Sequence, residues 1–334
     1  MEWRIKRIFN FPKDKLWRNG YAQFGFHGKN GNQYLLQYDE HWLGQLTHED
    51  RFVWTAGAIN KGLSQTHIEM AIKNPHYISE SPDGSLTLTS HGNNIIFKIF
   101  PDGKSAELFI DTGKLGFVDA GNCVYDHNGN LWVHEIRGCK IWQFDTNGKT
   151  LRVLGNGKPG FQKGTVSFDK VGFNWIYDMR LGPDGNMYVL DSKNYAVRRV
   201  DIKNEVVTTL SGTGQPGDTG DREDASKATL GSKPDEYFDG PYSMALDEEG
   251  NIYIGDTFNH VLRMIDYSTN IITTIAGKRD IQPHVRNNPN ETDPLKLNLP
   301  MICSLDYYNN CIFLPEMDGD LIVLEKKLIS AARI

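Results

Sequence analysis

Short apolar runs alternate with polar positions along the whole chain, and tight-turn residues separate them. In the stretch 252–266, IYIGDTFNHVLRMID, two such runs flank a polar turn. Runs of this kind, bounded by Gly, Asn and Asp, are typical of half-buried β-strands. Six predicted hairpin turns along the chain each contain a residue pair that can adopt the positive φ of a tight turn. These pairs are Gly31-Asn32, Gly84-Ser85, Gly129-Asn130, Gly185-Asn186, Gly250-Asn251 and Asn309-Asn310.

The hairpins belong to an internal repeat. Residues 174–212 and 239–277 are each 39 residues long and agree at 13 aligned positions, including Tyr177 with Tyr242 and Asp191 with Asp256. A repeat of this length predicts one supersecondary unit that packs against its neighbours. Weaker copies give six units, at 21–57, 75–110, 119–155, 174–212, 239–277 and 300–334, the last joined by residues 3–9.

This unit resembles the NHL repeat, a blade of a β-propeller. The resemblance rests on Gly-Asn, a short β-run, DTFNHVLR at 256–263 and a closing TTIAG at 273–277. It implies an all-β, single-domain, six-bladed β-propeller with four-stranded blades. It does not imply one function, because this family includes protein- and RNA-binding scaffolds, sensor domains and a few enzymes.

The two ends of the chain are expected to close the ring. Residues 3–9 are strand-like but have no blade of their own, and a propeller removes its edges by pairing one terminal strand with the other. We expect this segment to be an outer strand of the last blade. Residues 328–334 are a further strand candidate.

Three insertions separate predicted blades, at 156–173, 213–238 and 278–297. In an up-and-down blade, the links between blades lie on the same face as the turn from strand 2 to strand 3. We call this the decorated face. Long connections are usually functional or disordered, so we place the binding site there. The polar tract 217–236 is expected to be mobile, and it could form a lid, a partner-docking loop or neither.

The repeat register places two sets of side chains near the axis on the decorated face. His76, Gly121, Tyr177, Tyr242 and Met301 open strand 1, whereas Gln37, Ser90, Glu135, Asp191, Asp256 and Pro315 end strand 2. Acids and histidines at a channel mouth suit acid–base catalysis or a divalent cation, Ca, Mg or Zn, on the axis. The catalytic candidates are His76, His91, Glu135, Asp178 and Asp191. The ligand-contact candidates are Tyr177, Tyr242, Trp175, Asp256, Arg137 and Glu316.

The same positions have a structural interpretation. Asp191 and Asp256 recur in the repeat, and a carboxylate there can bond backbone N–H groups of its own turn, which is the interpretation we favour for them. Departures from the repeat, such as His91 and Glu135, are more informative, although Arg137 can simply pair with Glu135. The aromatic residues suit either a stacking platform or packing between blades.

Three groups of propeller enzymes were compared by residue, and none gives a specific assignment. Streptogramin-lyase-like propellers imply a histidine, a metal and acidic ligands, which His76, His91 and Glu135 could supply, but the His-x-Glu signature is absent. Gluconolactonase-like propellers imply a calcium set whose first-blade glutamate is not found at 21–26. Amidating-lyase-like propellers are secreted and disulfide-bonded, and neither property is expected here.

Composition limits the partners. The net charge of -6 argues against a nucleic-acid surface, which needs clustered Lys and Arg. No signal-peptide-like apolar region and no run of about 18 apolar residues occurs, so we expect a soluble cytoplasmic protein without a membrane partner. The four cysteines form no CxxC motif and are expected to be free buried thiols.

The sequence therefore predicts a binding scaffold whose decorated face holds a small molecule or a protein segment. The alternative is a cytosolic lyase or hydrolase with a central acid–base site on the same face, assisted by a divalent metal ion.

Overall fold

The innermost strands of six antiparallel sheets surround a central shaft. The structure is a computed structural model, and it describes residues 2–10, 24–29, 31–46, 52–58, 68–232, 239–282, 285–316 and 320–327. Each innermost strand contacts the innermost strand of the next sheet, and the last contacts the first. This closed order confirms the six-bladed, all-β propeller.

The first part of the chain supplies the closing strand and three blades. The closing strand β1 is Glu2–Asn10. Blade 1 contains β2 Phe24–His27, β3 Gln33–Gln37, β4 Trp42–Leu46, β5 Phe52–Ala58 and β6 Ile68–Met70. Blade 2 contains β7 Pro75–Glu80, β8 Leu86–Ser90, β9 Ile95–Ile99 and β10 Ala106–Asp111. Blade 3 contains β11 Ala120–Tyr125, β12 Leu131–Glu135, β13 Ile141–Phe144 and β14 Thr150–Leu154.

The second part supplies the other three blades. Blade 4 contains β15 Thr165–Ser167, β16 Ile176–Leu181, β17 Met187–Asp191, β18 Ala196–Asp201 and β19 Val206–Ser211. Blade 5 contains β20 Glu223–Asp224, β21 Ser243–Leu246, β22 Ile252–Asp256, β23 Val261–Ile265 and β24 Ile271–Gly277. Blade 6 contains β25 Asp306–Tyr308, β26 Cys311–Glu316 and β27 Asp320–Lys327, with β1 as its outer strand. Short 3-10 helices lie at His91–Asn93, Ser192–Asn194, Ala225–Lys227, Thr257–Asn259 and Pro294–Lys296.

The predicted hairpin turns have the expected backbone. Gly185 and Gly250 have φ of 76° and 88°, and in blade 6 Asn309 and Asn310 have φ of 50° and 60°. Asn tolerates this left-handed region better than most residues, which explains why it replaces glycine there.

The core lies between the blades. Six hydrophobic clusters of described residues each join two neighbouring blades, so that every interface in the ring has one. Burial of apolar area at each interface is therefore what holds the sheets around the shaft.

Strand β1 closes the ring as predicted. It pairs antiparallel with β27, from Glu2 opposite Lys327 to Asn10 opposite Asp320. Trp3 is buried in the cluster between blades 5 and 6, where its indole meets the Tyr253 ring edge-on at 5.5 Å. The strand candidate at 328–334 lies outside the described residues.

The long links extend beyond the decorated face. Strand β15 pairs with β19, β20 pairs with β24, and β6 lies parallel to β5, so three blades gain a short fifth strand from the links. The expected mobility of the tract 217–236 is wrong for residues 217–232, because Ala225, Ala228 and Leu230 are fully buried between blades 4 and 5. The rest of that tract lies outside the described residues.

All four cysteines are free and buried, as expected.

Within the described ranges, no helix has the length and apolar character that crossing a membrane requires.

Ring closure through Trp3 can be measured by mutation. Replacing Trp3 with Ala should lower the free energy of unfolding by about 3–5 kcal/mol, the usual loss for a large buried aromatic side chain. Urea denaturation measures the loss. Arg4→Ala is the matched control, because Arg4 is exposed and pairs only at the surface with Glu325, so it should change stability by about 1 kcal/mol or less. Equal effects of the two variants would contradict the packing role of β1.

Candidate functional site

A β-bulge at the start of the innermost strand turns one side chain toward the shaft in blades 2 and 4. Pro75 pairs with Ser90 and Tyr77 with Thr89, so His76 is the extra residue of the bulge between them. Tyr177 occupies the same place in blade 4. A bulge re-aims the side chain of the extra residue. The rings of His76 and Tyr177 accordingly lie 5.8 Å apart, although blade 3 separates their two blades.

Six rings form a continuous arc at the decorated face, which we call the ring arc. Its neighbouring centroids are Tyr38 to His91 at 6.0 Å, His91 to His76 at 5.5 Å, His76 to Tyr177 at 5.8 Å, Tyr177 to Tyr242 at 4.2 Å and Tyr242 to Phe258 at 5.8 Å. The arc draws on blades 1, 2, 4 and 5. The sequence register predicts His76, His91, Tyr177 and Tyr242 at this face, and the structure brings these four rings together.

Tyr38 was missed as a site residue. It follows Gln37 at the end of strand 2 of blade 1, just as His91 follows Ser90 in blade 2. That positional match was the available signal. Phe258 lies in the 3-10 turn that follows strand 2 of blade 5.

In blade 3, Gly121 stands at the position of His76 and Tyr177, and the ring of His134 from strand 2 lies against it. A Cβ atom on Gly121 would lie 2.0 Å from the His134 Cε1 atom, so only glycine leaves room for this imidazole. The Asn122 N–H donates to His134 Nε2 at 3.0 Å, which places the ring proton of the neutral form on Nδ1. Burial lowers the pKa of His134 to about 3.

The two histidines of the ring arc, His91 and His76, lie in different surroundings. His91 Nδ1–H donates to the Ala120 carbonyl at 3.1 Å, so His91 Nε2 is left as an acceptor. Burial lowers the pKa of His76 well below its usual value, and the neighbouring His91 and His134 rings lower it further. His76 and His134 are therefore neutral at pH 7.

Blade 6 departs from the predicted register. Ile302 bridges Glu316, so Glu316 stands where Asp191 stands in blade 4, and Cys303 takes the place of Tyr177. The prediction of Pro315 and Met301 for these places was wrong. The first hairpin of this blade pairs Tyr308 directly with Cys311, and its shorter turn shifts the alignment.

Glu135 is held by two donors. Its Oε2 accepts from the Val118 N–H at 3.0 Å, and its Oε1 accepts from the Trp142 indole N–H at 2.7 Å. The suggested pairing of Arg137 with Glu135 was wrong, since Arg137 Nη2 donates to Asp119 Oδ1 at 2.8 Å. Glu135 therefore holds the segment that leads into blade 3, and Asp119 of that segment pairs with Arg137 after strand 2.

Asp191 and Asp256 join the incoming link to the turn after strand 2. Asp191 accepts from the Asn174 N–H at 2.7 Å, Asn194 Nδ2 at 2.8 Å and Arg198 Nε at 3.0 Å. The matching groups around Asp256 are the Gly231 N–H at 2.8 Å, Asn259 Nδ2 at 3.0 Å and the Arg263 guanidinium at 3.7 Å. Burial raises the pKa of both carboxyls to about 6. The backbone N–H groups that they bind belong to the incoming links, so the expected capping of their own turns was wrong. A catalytic role for Asp191 stays a prediction.

Asp178 and Arg180 fill the shaft beyond the ring arc. Asp178 accepts from the Asn122 side-chain amide at 2.6 Å, the Met244 N–H at 2.8 Å and Arg180 Nη2 at 3.0 Å. Burial raises the pKa of Asp178, and its hydrogen bonds oppose that rise. Arg180 also donates to the Leu305 carbonyl at 2.9 Å. This pair links blades 3, 4, 5 and 6 and therefore forms a floor beneath the ring arc.

The remaining ligand-contact candidate, Trp175, lies at the entry to blade 4. Its backbone has φ of 56°, and the Lys193 ammonium lies 5.0 Å from the centre of its ring. Trp175 immediately precedes β16, which carries Tyr177, so both aromatic residues stand at the decorated face.

The donor set does not fit the divalent cation considered from the sequence. Among the residues that the structure describes, no three His, Cys, Asp or Glu side chains are grouped as metal ligands. The carboxylates nearest the shaft hold backbone and side-chain donors instead, as shown for Glu135, Asp178 and Asp191.

Sequence comparison finds no matching family model. Protein SUPPRESSOR OF QUENCHING 1, chloroplastic, of Arabidopsis thaliana is 30% identical over 142 residues, which are 40% of this chain and 12% of that protein. NHL repeat-containing protein 2 of Homo sapiens is 31% identical over 90 residues, 27% of this chain and 11% of that protein. The matched part is thus a small fraction of each relative's length.

Solved structures share the fold over nearly the whole chain. A structural genomics protein of unknown function from Bacteroides thetaiotaomicron VPI-5482 has a TM-score of 0.67 at 16% identity, covering 97% of this chain and 76% of its own. An auxiliary nutrient binding protein from Bacteroides ovatus ATCC 8483 has a TM-score of 0.66 at 13% identity, covering 97% and 77%. Virginiamycin B lyase from Staphylococcus aureus has a TM-score of 0.58 at 11% identity, covering 98% and 100%. At these identities the likeness concerns the fold alone.

The buried neutral His134 predicts a specific loss of stability in acid. The unfolded chain takes up a proton at this histidine below about pH 6.5, whereas the folded chain does so only near pH 3, so stability falls as the pH drops through that window. His134→Gln keeps an acceptor for the Asn122 N–H but cannot titrate. Between pH 7.5 and 5, the wild type should lose about 2 kcal/mol more unfolding free energy than this variant.

Urea denaturation at the two pH values measures this difference, and the variant at pH 7.5 serves as its own reference. Equal losses in both proteins would show that His134 is not buried in its neutral form.

Proposed function

Because this chain is an NHL-repeat β-propeller, a fold that serves many functions, we propose its function from the decorated face: it is a binding protein whose ring arc holds a small planar ligand. A planar side chain of a protein segment presents the same chemistry and is the second source of such a ligand. The supporting observation is that rings from four blades line one continuous path.

The arc offers stacking surface more than charge. Base–aromatic stacking contributes about 1–3 kcal/mol per ring and tolerates many ring types. The carboxylates that open toward this face hold structural donors, and His76 and His134 are neutral at pH 7. An uncharged, flat ligand suits these surroundings. His91 Nε2 can accept one hydrogen bond from it, because His91 Nδ1 is already committed to the Ala120 carbonyl.

One further point supports a binding protein. The fold of an auxiliary nutrient binding protein from Bacteroides ovatus covers 97% of the chain. We also propose a cytoplasmic location, since four free thiols suit a reducing compartment.

A second candidate, a lyase or hydrolase, has one observation in its favour. His91 carries an oriented acceptor nitrogen, and its ring lies 5.5 Å from that of His76. A neutral imidazole held in this way can act as a general base. Glu135, Asp178 and Asp191 give this candidate less support, because their oxygens hold the fold together.

Ligand screening tests the proposed function. A panel of nucleosides, aromatic glycosides and aromatic amino acids should contain binders detectable by saturation-transfer NMR. Tyr177→Ala or Phe258→Ala should weaken their binding about tenfold or more, because each removes one partly exposed stacking partner. Tyr267→Ala is the matched control, since Tyr267 is an exposed tyrosine in the turn from strand 3 to strand 4 of blade 5.

Three outcomes are informative. Binding that survives both arc substitutions, or that Tyr267→Ala weakens equally, would overturn the assignment of the ring arc. A panel without any binder would do the same. Chemical conversion of a bound ligand that stops in His91→Gln while binding persists would favour the second candidate.

A further inference from the structure

A second cleft opens where the last blade meets the first, on the face opposite the ring arc. It has a volume of about 310 Å³ and is lined by β1, by the start of β3 and by the first hairpin of blade 6. We call it the seam cleft. Its size lies at the lower end of the range for small-ligand sites. None of the residues considered for the decorated face lines it.

A bulge in β1 places two consecutive cations in this cleft. In a regular strand, Lys6 and Arg7 would point to opposite faces of the sheet. Ile5 pairs with Leu324 and Arg7 with Val323, so Lys6 is the extra residue. The bulge changes the phase of the strand. Trp3, Ile5 and Ile8 accordingly pack toward blade 5, while Lys6 and Arg7 both line the seam cleft.

Gln33 supplies a buried donor from blade 1. It pairs with His27 and Leu46 on either side, it is 4% exposed, and it lines the cleft. Its Nε2 has no hydrogen-bond partner among the described residues. A buried amide without an acceptor lowers the free energy of unfolding by about 1–3 kcal/mol, so an acceptor bound in the cleft would remove this loss.

The lining has a consistent sign of charge. Among its described members, Lys6 and Arg7 are cationic and none is acidic. Lys6 Nζ lies 3.3 Å from Glu325 and 3.5 Å from Cys311 Sγ, so a carboxylate outside the lining partly balances the charge of Lys6. On a chain of net charge -6, this pocket is a local site for negative charge.

Part of the lining is aromatic. Tyr308 and Phe313 belong to it, and the His27 ring is stacked on Tyr308 at 4.7 Å with 4° between the planes. A ligand in the cleft therefore meets both nitrogen donors and aromatic rings.

We propose that the seam cleft binds a small organic anion. Its oxyanion group would accept hydrogen bonds from Lys6, Arg7 and the Gln33 amide, and its flat apolar part would lie against Tyr308 and Phe313. Charge-assisted bonds from lysine and arginine are the usual means of holding phosphate or carboxylate groups. Such a ligand contacts both ends of the ring and stabilises its closed form, because it binds only the folded protein.

Phenyl phosphate and benzoate are the probes, and phenol is the neutral control with the same ring. At constant ionic strength, calorimetric titration should show saturable binding of one or both anions, and each bound anion should raise the thermal midpoint. Phenol should do neither. Inorganic phosphate separates the oxyanion contribution from that of the ring.

Two variants locate the site. Gln33→Leu and Lys6→Gln should each weaken binding about tenfold, the effect expected for one lost hydrogen bond to a charged group. Lys104→Gln, an exposed lysine in the turn before β10, should not change it. Without ligand, Gln33→Leu should unfold at the wild-type temperature or above, since it removes an unpartnered donor. Its loss of binding then cannot be ascribed to unfolding.

Failure of both anions to bind the wild type would overturn the proposal. Equal weakening by Lys104→Gln would reduce it to general charge attraction, and equal binding of phenol would reduce it to apolar contact. The Tyr177→Ala variant should bind both anions normally, which separates this site from the ring arc.

Discussion

Closure of the ring by β1 is the constraint on which the rest of the structure depends. A row of blades in which each packs only on its neighbours leaves two unpaired ends, and pairing β1 with β27 covers both the open edge and the apolar face of blade 6. Because the first residues of the chain form the outer strand of the last blade, the interface between blades 6 and 1 is built from both ends of the chain. A defect at either end therefore reaches the whole ring.

The closed ring explains why rings from separate blades can form one surface. Residues that are far apart in sequence, such as His76 and Tyr177, meet only because the innermost strands converge on the shaft. The bulges in β7 and β16 then turn His76 and Tyr177 inward. The acidic residues that look most like catalytic groups in the sequence secure this arrangement, since Glu135, Asp191 and Asp256 tie incoming links to their blades. In this molecule, conspicuous carboxylates hold the scaffold, and aromatic rings form the surface.

Much of the fold could be predicted because the repeat carries it. The local pattern that recurs in each copy predicts the hairpin turns and the six blades. The strand-like residues 3–9, which have no blade of their own, predict the closing strand. The buried segment around Ala225 could not be predicted in this way. Its polar composition indicates a loop, but three small or apolar residues in it suffice to fill the interface between blades 4 and 5. Burial there depends on the neighbouring blade, which composition does not show.

The site was predicted less fully for a similar reason. The repeat alignment predicts the right residue where the hairpin has the usual length, as for Tyr177 and Tyr242. It failed in blade 6, because the shorter hairpin puts Glu316 and Cys303 at the positions predicted for Pro315 and Met301. Hydrogen-bond partners cannot be deduced from spacing: a pair of Arg137 with Glu135 was considered, whereas Arg137 binds Asp119. The bulge in β1, which lets Lys6 and Arg7 line the same cleft, also cannot be recognised from the sequence.

The most direct test of this account removes the closing strand and returns it. Calorimetry of the chain without residues 2–10 should show a much lower unfolding temperature, and a synthetic peptide with the sequence EWRIKRIFN should restore it in a saturable manner. An unfolding transition that is unchanged by the deletion would show that the ring does not depend on β1, and it would contradict the central claim.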